Sequence, residues 1–219
     1  MPIELDVGSF RKSGRDANMV NQGATAYFHK LSELLLSTQV TDRHDKVLSL
    51  DEGTNRAVDL ILSVRSASGK VMLIGNGGSA AIAIHMQNDL CKAVGVRAIV
   101  FYETPMLTAL SNDHGYGCVF ERPIELWANT GDLLLAISSS GQSENILRGV
   151  RTSLARGCQI ITLSGFGADN PLRYMGHLNF YAPSQVYGYV EAAHSVLAHF
   201  LTDCAMMSRC EKERLASWA

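Results

Sequence analysis

No excess of basic charge marks this chain: 19 Lys and Arg stand against 21 Asp and Glu, for a formal net charge of -2. Binding along a phosphate backbone needs a basic stripe, so a nucleic-acid partner is not expected. No apolar run approaches the roughly 18 residues of a membrane span, and the first residues hold no continuous signal-type hydrophobic stretch. The reading is a soluble, cytoplasmic protein with no membrane partner. The five cysteines, Cys91, Cys118, Cys158, Cys204 and Cys210, are odd in number and contain no C-x-x-C. They read as reduced thiols and argue against a disulfide frame or a zinc knuckle. The nucleotide fingerprints G-x-G-x-x-G and G-x-x-x-x-G-K-[ST] are missing from the glycine-rich loops, so no nucleotide cofactor is expected.

What the chain does have is two Ser/Gly-rich loops, each directly after a short apolar run. Val71-Met72-Leu73-Ile74 leads into Gly75-Asn76-Gly77-Gly78-Ser79, and Leu133-Leu134-Leu135-Ala136-Ile137 leads into Ser138-Ser139-Ser140-Gly141-Gln142-Ser143. Each loop opens a stretch of helical periodicity. A buried strand turning into a helix through small residues leaves free backbone N–H groups, the positive helix end and serine hydroxyls at one spot. That spot suits the phosphate of a small metabolite, held by neutral donors. A plain strand-to-helix turn needs only one capping hydroxyl, and the second loop carries four.

With 219 residues, 47% hydrophobic and 18% charged, the chain can bury a full core in one domain with an N-terminal appendage. Residues 1-20 read as a flexible tail. Residues 21-68 hold two helices: one through Tyr27, Phe28, Leu31 and Leu34 to Leu36, ending near Ser37, the other from about Asp51 to a stop at Gly69. A charged linker at Thr41-Lys46 joins them. The first helix is apolar enough to call for another chain as its partner. Residues 69-210 then alternate five apolar runs (Val71-Ile74, Ala98-Phe101, Leu133-Ile137, Ile160-Leu163 and Leu178-Tyr181) with helices near 79-92, 106-112, 142-156 and 187-207. Residues 211-219 form a C-terminal tail. This alternation implies an α/β fold with a parallel sheet covered on both faces, its ligand crevice at the carboxyl ends of the strands.

The remaining chemistry lies on two helices. His85 and Asp89 are spaced i, i+4, and Glu191 and His194 are spaced i, i+3, with His199 about 80° around the last helix from Glu191 at roughly 100° per residue. A carboxylate and an imidazole on each helix can make an acid/base pair or an N/O metal site. The same spacing also fits a satisfied core histidine, a surface acid and packing histidines.

The two loops, His85, the polar turn Ser111-Asn112-Asp113 and the run from Glu191 to His199, in this order, resemble the sugar isomerase (SIS) domain. Within that superfamily the chain is most similar to the phosphoheptose isomerases, which act on sedoheptulose 7-phosphate. The resemblance implies a three-layer sandwich of flavodoxin-like type with a five-stranded parallel sheet, preceded by N-terminal helices. It also implies that Ser79, Ser138, Ser140 and Ser143 hold the sugar phosphate. Asn76 lines the same pocket, and Gly77, Gly78 and Ser139 are counted with it among the substrate- and phosphate-binding positions. Asp113 corresponds to a contact to sugar hydroxyls. Asp89 and His199 correspond to the acid/base pair, and His85, Asp89, Glu191 and His199 to a zinc site, with Glu191 also among the substrate-facing positions. His194 matches a histidine outside that pair. The resemblance implies a homotetramer whose active sites are completed across subunits.

Four departures are visible. Asn88-Asp89 replaces two consecutive glutamates, so the presumed base is one methylene shorter. Lys92 and Ala93 stand where an arginine is expected. The segment Pro183-Tyr189 lacks an aspartate ahead of the last helix, and Glu191 replaces a glutamine, adding negative charge toward a divalent ion. Two functions of different class stand at this point. One is an isomerase that converts sedoheptulose 7-phosphate to D-glycero-D-manno-heptose 7-phosphate through an enediol. The other is a non-catalytic protein of the same fold that binds a sugar phosphate or regulates partners.

Overall fold

Along each buried strand, successive side chains enter opposite cores, as a period of two requires. Val71 and Leu73 of β3 (Val71–Ile74) face one helical layer, while Met72 and Ile74 face the other. The same alternation runs through β5 (Leu133–Ser138) and β6 (Gln159–Ser164), where Leu133, Leu135, Ile161 and Leu163 join the first core and Leu134, Ala136 and Ile160 the second. The first core is closed by α2 (Leu50–Ser66), α3 (Gly78–Asp89) and α7 (Tyr187–Ala216). The second is closed by α5 (Glu121–Trp127) and α6 (Glu144–Ala155), with α4 (Thr104–His114) packed against its margin. This is a three-layer α/β sandwich, seen in a computed structural model that describes residues 23–216.

Among the described residues the sheet has seven strands rather than five, in the order β2-β1-β7-β6-β5-β3-β4. Five are the expected parallel set, completed by β4 (Ala98–Val100) and β7 (Leu178–Tyr181). The added pair, β1 (Gln39–Asp42) and β2 (Val47–Leu48), is an antiparallel hairpin on the edge of β7. The supposed charged linker is therefore its turn. The Asp42 carboxylate accepts the His44 and Lys46 amides at 2.8 and 3.1 Å, and these bonds, His44's foremost, hold its pKa below the usual range. Val40, fully buried, and Thr41, 8% exposed, secure the strand.

Other boundaries shift as well. The α2 helix begins at Ser49, whose hydroxyl accepts the Glu52 amide at 3.1 Å, and the left-handed residue after it is Ser68 (φ 55°), not Gly69. α3 continues into a single π turn, Leu90–Val94. α7 runs to Ala216, so the expected tail from 211 is helical over most of its length. The expected tail over 1-20 lies outside the described residues. The first helix, α1 (Ala24–Leu36), finds a partner within its own chain: Leu34 packs with Tyr27, Leu31 and Leu35 against Ala182, just past the strand Leu178–Tyr181, and against Tyr189 and Ala193 at the start of α7. Tyr27 and Tyr189 stack with centroids 4.5 Å apart. Phe28 and Leu36 on the same helix stay 64% and 77% exposed. Among the described residues no helix is long and apolar enough to cross a membrane.

Candidate active site

After β3 the chain crosses to β4, and after β4 it returns to the other side of β3 to form β5, so strand order reverses between β3 and β5. A parallel sheet opens a crevice at such a point, beyond the carboxyl ends of the two strands. Both Ser/Gly loops lie there, one ending β3 and opening α3, the other ending β5 and opening α6. A reciprocal amide pair joins them: Asn76 Nδ2 donates to Asn145 Oδ1 at 3.0 Å, and Asn145 Nδ2 donates to Asn76 Oδ1 at 2.9 Å. Tyr116 Oη also donates to Asn76 Oδ1, at 3.0 Å, and Tyr102 Oη bonds both the N–H and the C=O of Gly75 at 2.8 Å. Burial pushes the pKa of the Tyr102 hydroxyl well above the ordinary phenol value, against a smaller opposing effect of its bond with the Gly75 backbone.

The serine hydroxyls divide by role. Ser138 Oγ accepts the Gly141 amide at 3.2 Å and Ser140 Oγ accepts that of Gln142 at 3.3 Å. An oxygen used as acceptor leaves its own proton to donate outward. Ser143 stands at the N-cap of α6 without bonding the helix, and α3 is preceded by Gly77 (φ 53°), which has no side chain to bond it. Neither helix N-terminus at the crevice is capped by its own N-cap side chain, which suits an anion. Ser79 is 3% exposed and lies within the first turn of α3. Ser139 is turned inward, its hydroxyl buried and without a partner, so the expectation that it faces a phosphate does not match its placement.

Further along α3 and α7 stands a second group. Asp89 Oδ2 lies 3.4 Å from His85 Nε2 and 3.7 Å from His199 Nδ1, and the two imidazoles meet edge to face with centroids 4.8 Å apart. One ligand atom from each lies within 4.8 Å of the others. Asn88 Nδ2 donates to the other oxygen of Asp89 at 3.2 Å. Two imidazoles and a carboxylate at the surface form a donor set that zinc accepts.

Glu191 does not join this group. Its carboxylate rests on Gly78 at the N-terminus of α3, where any Cβ would overlap it. Of the four residues expected as ligands this chain brings three together, because eight residues carry Glu191 about 12 Å along α7 from His199. Asp113 is not in a turn but in the last turn of α4, exposed, with its carboxylate accepting from Asn112 at 2.9 Å. The residue of that segment that reaches the crevice is Tyr116. His194 is buried at 2% exposure, its Nε2 3.1 Å from the Ser164 carbonyl, away from the other histidines. Tyr102, Tyr116 and Asn145 escape a reading of the sequence, since each acts through a partner 27 to 69 positions away.

A family model for the SIS domain matches residues 27–165. The chain belongs to the SIS domain family. Its relatives there carry a more particular name: it is 34% identical over 164 residues to the phosphoheptose isomerase of Helicobacter pylori strain P12, covering 71% of this chain and 84% of that protein. Among solved structures it is similar to a phosphoheptose isomerase from Francisella tularensis, with a TM-score of 0.72, 26% identity, and coverage of 84% of this chain and 96% of that one. The corresponding enzyme of Neisseria gonorrhoeae gives a TM-score of 0.70 at 27% identity, covering 83% and 95%.

Proposed function

We propose that this protein is an aldose–ketose isomerase that converts sedoheptulose 7-phosphate to D-glycero-D-manno-heptose 7-phosphate in the cytoplasm. The observation that carries the reading is a division of labour along α3, with a cradle of loop hydroxyls and amides at one end and the Asp89–His199 pair at the other. A rise of about 1.5 Å per residue separates Gly78 from His85 and Asp89 by roughly 10 to 16 Å. At its upper end that gap exceeds the length of one extended sugar phosphate, which agrees with active sites completed across subunits. The names of the curated relatives and of the structural neighbours support the same substrate class.

In this proposal the hydroxyls of Ser79, Ser140 and Ser143 and the free amides at the start of α6 fix the phosphate end, with Asn76 beside them. Of Asp89 and His199, one removes the proton from the carbon next to the carbonyl. An enediol forms, and the proton returns to the neighbouring carbon while the second group serves the oxygens. His85, Asp89 and His199 would hold a zinc ion, which supplies polarisation of a bound carbonyl when present. Phe28, Leu36, Val196 and Phe200 leave an apolar margin on α1 and α7. Covering that margin in a homotetramer is the assembly we propose. Incubation of the purified protein with sedoheptulose 7-phosphate, with and without zinc, tests the function. Conversion is expected, and failure in both conditions would leave the binding or regulatory role instead.

A further inference from the structure

We infer that Asn170, outside both Ser/Gly loops, is the positioning residue that holds the Ser138–Ser143 loop in its binding shape. The inference rests on the phosphate-cradle reading above and adds a side chain to it. Asn170 is fully buried, and its amide is used at both ends. Its Oδ1 accepts the Arg173 amide at 3.0 Å, capping the 3-10 turn Pro171–Tyr174. Its Nδ2 reaches the Gly167 and Gly165 carbonyls at 2.8 and 3.1 Å and Ser164 Oγ at 3.4 Å. Ser164 is the register partner of Ser138 across β5 and β6, so this amide grips the segment beside the serine loop.

The same amide also presses on the loop itself. Gly141 adopts φ +63°, and a Cβ at this residue would overlap the Asn170 side chain. The Gly141 N–H is taken by Ser138, and its C=O accepts the Leu172 amide at 3.1 Å, two residues beyond Asn170. The turn that presents Ser140 and Ser143 is therefore clasped between its own first serine and the Asn170–Leu172 segment. Of the two partners in this close contact, Gly141 must lack a side chain and Asn170 must hold its amide in place. A displacement of the amide would let the turn relax, and hydroxyls that converge on one anion would diverge.

A residue that merely caps a turn and a residue that positions the cradle respond differently to Asn170→Ser. Serine keeps a capping oxygen for the Arg173 amide but loses the amide donor and its contact with Gly141. Calorimetry with sedoheptulose 7-phosphate and with inorganic phosphate, alongside steady-state kinetics and circular dichroism, reads the difference. The expected result for the folded variant is at least tenfold weaker binding of both probes and a KM raised by a similar factor, with kcat within about threefold. Gly141→Ala should lose affinity too, and the double variant Gly141→Ala with Asn170→Ser should lose less than the sum of the single losses, because both break one contact. Wild-type affinity in folded Asn170→Ser, or strictly additive losses, would overturn the inference. A wild-type protein that binds phosphate through this loop but converts no sugar would refute the isomerase reading alone.

Discussion

Acidification should destabilise this protein through His194. Its imidazole sits inside α7 with Nε2 3.1 Å from the Ser164 carbonyl. A carbonyl only accepts, so Nε2 carries the proton and Nδ1 the lone pair. That Nδ1 is buried and meets no partner, so a second proton there would create an unsolvated cation. Desolvation accordingly pushes the pKa down from 6.5 to about 4, against a smaller opposing effect of the Ser164 carbonyl. Between these values the unfolded chain binds the proton and the folded chain does not. Stability is thus complete above about pH 6.5 and falls as the pH drops to about 4. At about 1.4 kcal/mol per pKa unit the loss is on the order of 3 kcal/mol, a large share of the 5 to 15 kcal/mol typical of a domain. Urea unfolding at pH 7, 5.5 and 4 on the wild type and on His194→Gln measures it. Glutamine can still donate to Ser164 but does not titrate in this range. The wild type should lose about 3 kcal/mol more than the variant across the interval, and identical pH dependence in the two proteins would refute the reasoning.

Three further outcomes are expected. Ser140→Ala combined with Ser143→Ala should weaken sugar-phosphate binding at least tenfold by calorimetry with little change in thermal midpoint, since hydrogen bonds to a charged group are worth about 1.5 to 3 kcal/mol each. His85→Ala or His199→Ala should lower zinc content, read by elemental analysis of protein purified without chelator. His194→Ala should leave that content unchanged, and a zinc-free parent protein after supplementation would remove the metal reading. Analytical ultracentrifugation at micromolar concentration should show a tetramer, and Leu36→Glu or Phe200→Glu should shift it toward smaller species. A monomeric wild type would contradict the proposed assembly.

The parallel strands were legible because each is a short apolar run covered on both faces, which leaves a continuous hydrophobic signature. The β1–β2 hairpin was not, since its strands are four and two residues long and its turn is made of charged residues. In isolation Asp42-Lys46 looks like a linker; only the bonds from the His44 and Lys46 amides to the Asp42 side chain show it to be a turn. The α5 helix was missed for a related reason. It has seven residues, Pro123 among them, and it stands only by burying Pro123 and Ile124. Within the site, the loops announced themselves through small residues at strand ends. The bracing side chains did not, because Asn145 meets Asn76 from 69 positions away and neither residue carries a local mark of that pairing.

Glu191 shows what spacing along one helix can and cannot decide. Its position eight residues before His199 suggests a shared ligand set, yet the carboxylate lies on Gly78, against the first turn of α3. A negative group at a helix N-terminus interacts favourably with the macrodipole, by about 0.3 to 1 kcal/mol in exposed settings. The charge gained where glutamine was expected is thus placed at the cradle and not at the histidines. Of the two helix N-termini at the switch point, that of α3 already faces an anion, whereas Ser143 leaves that of α6 unoccupied by its own side chain. A phosphate dianion approaching the crevice is therefore repelled from the α3 side and drawn to the Ser138–Ser143 side. Glu191→Gln should accordingly tighten the binding of inorganic phosphate severalfold by calorimetry, and more so at low salt, where the charge of Glu191 is less screened. Weaker binding in that variant would mean that the carboxylate serves the ligand directly, and would return Glu191 to the substrate-facing role read from the sequence.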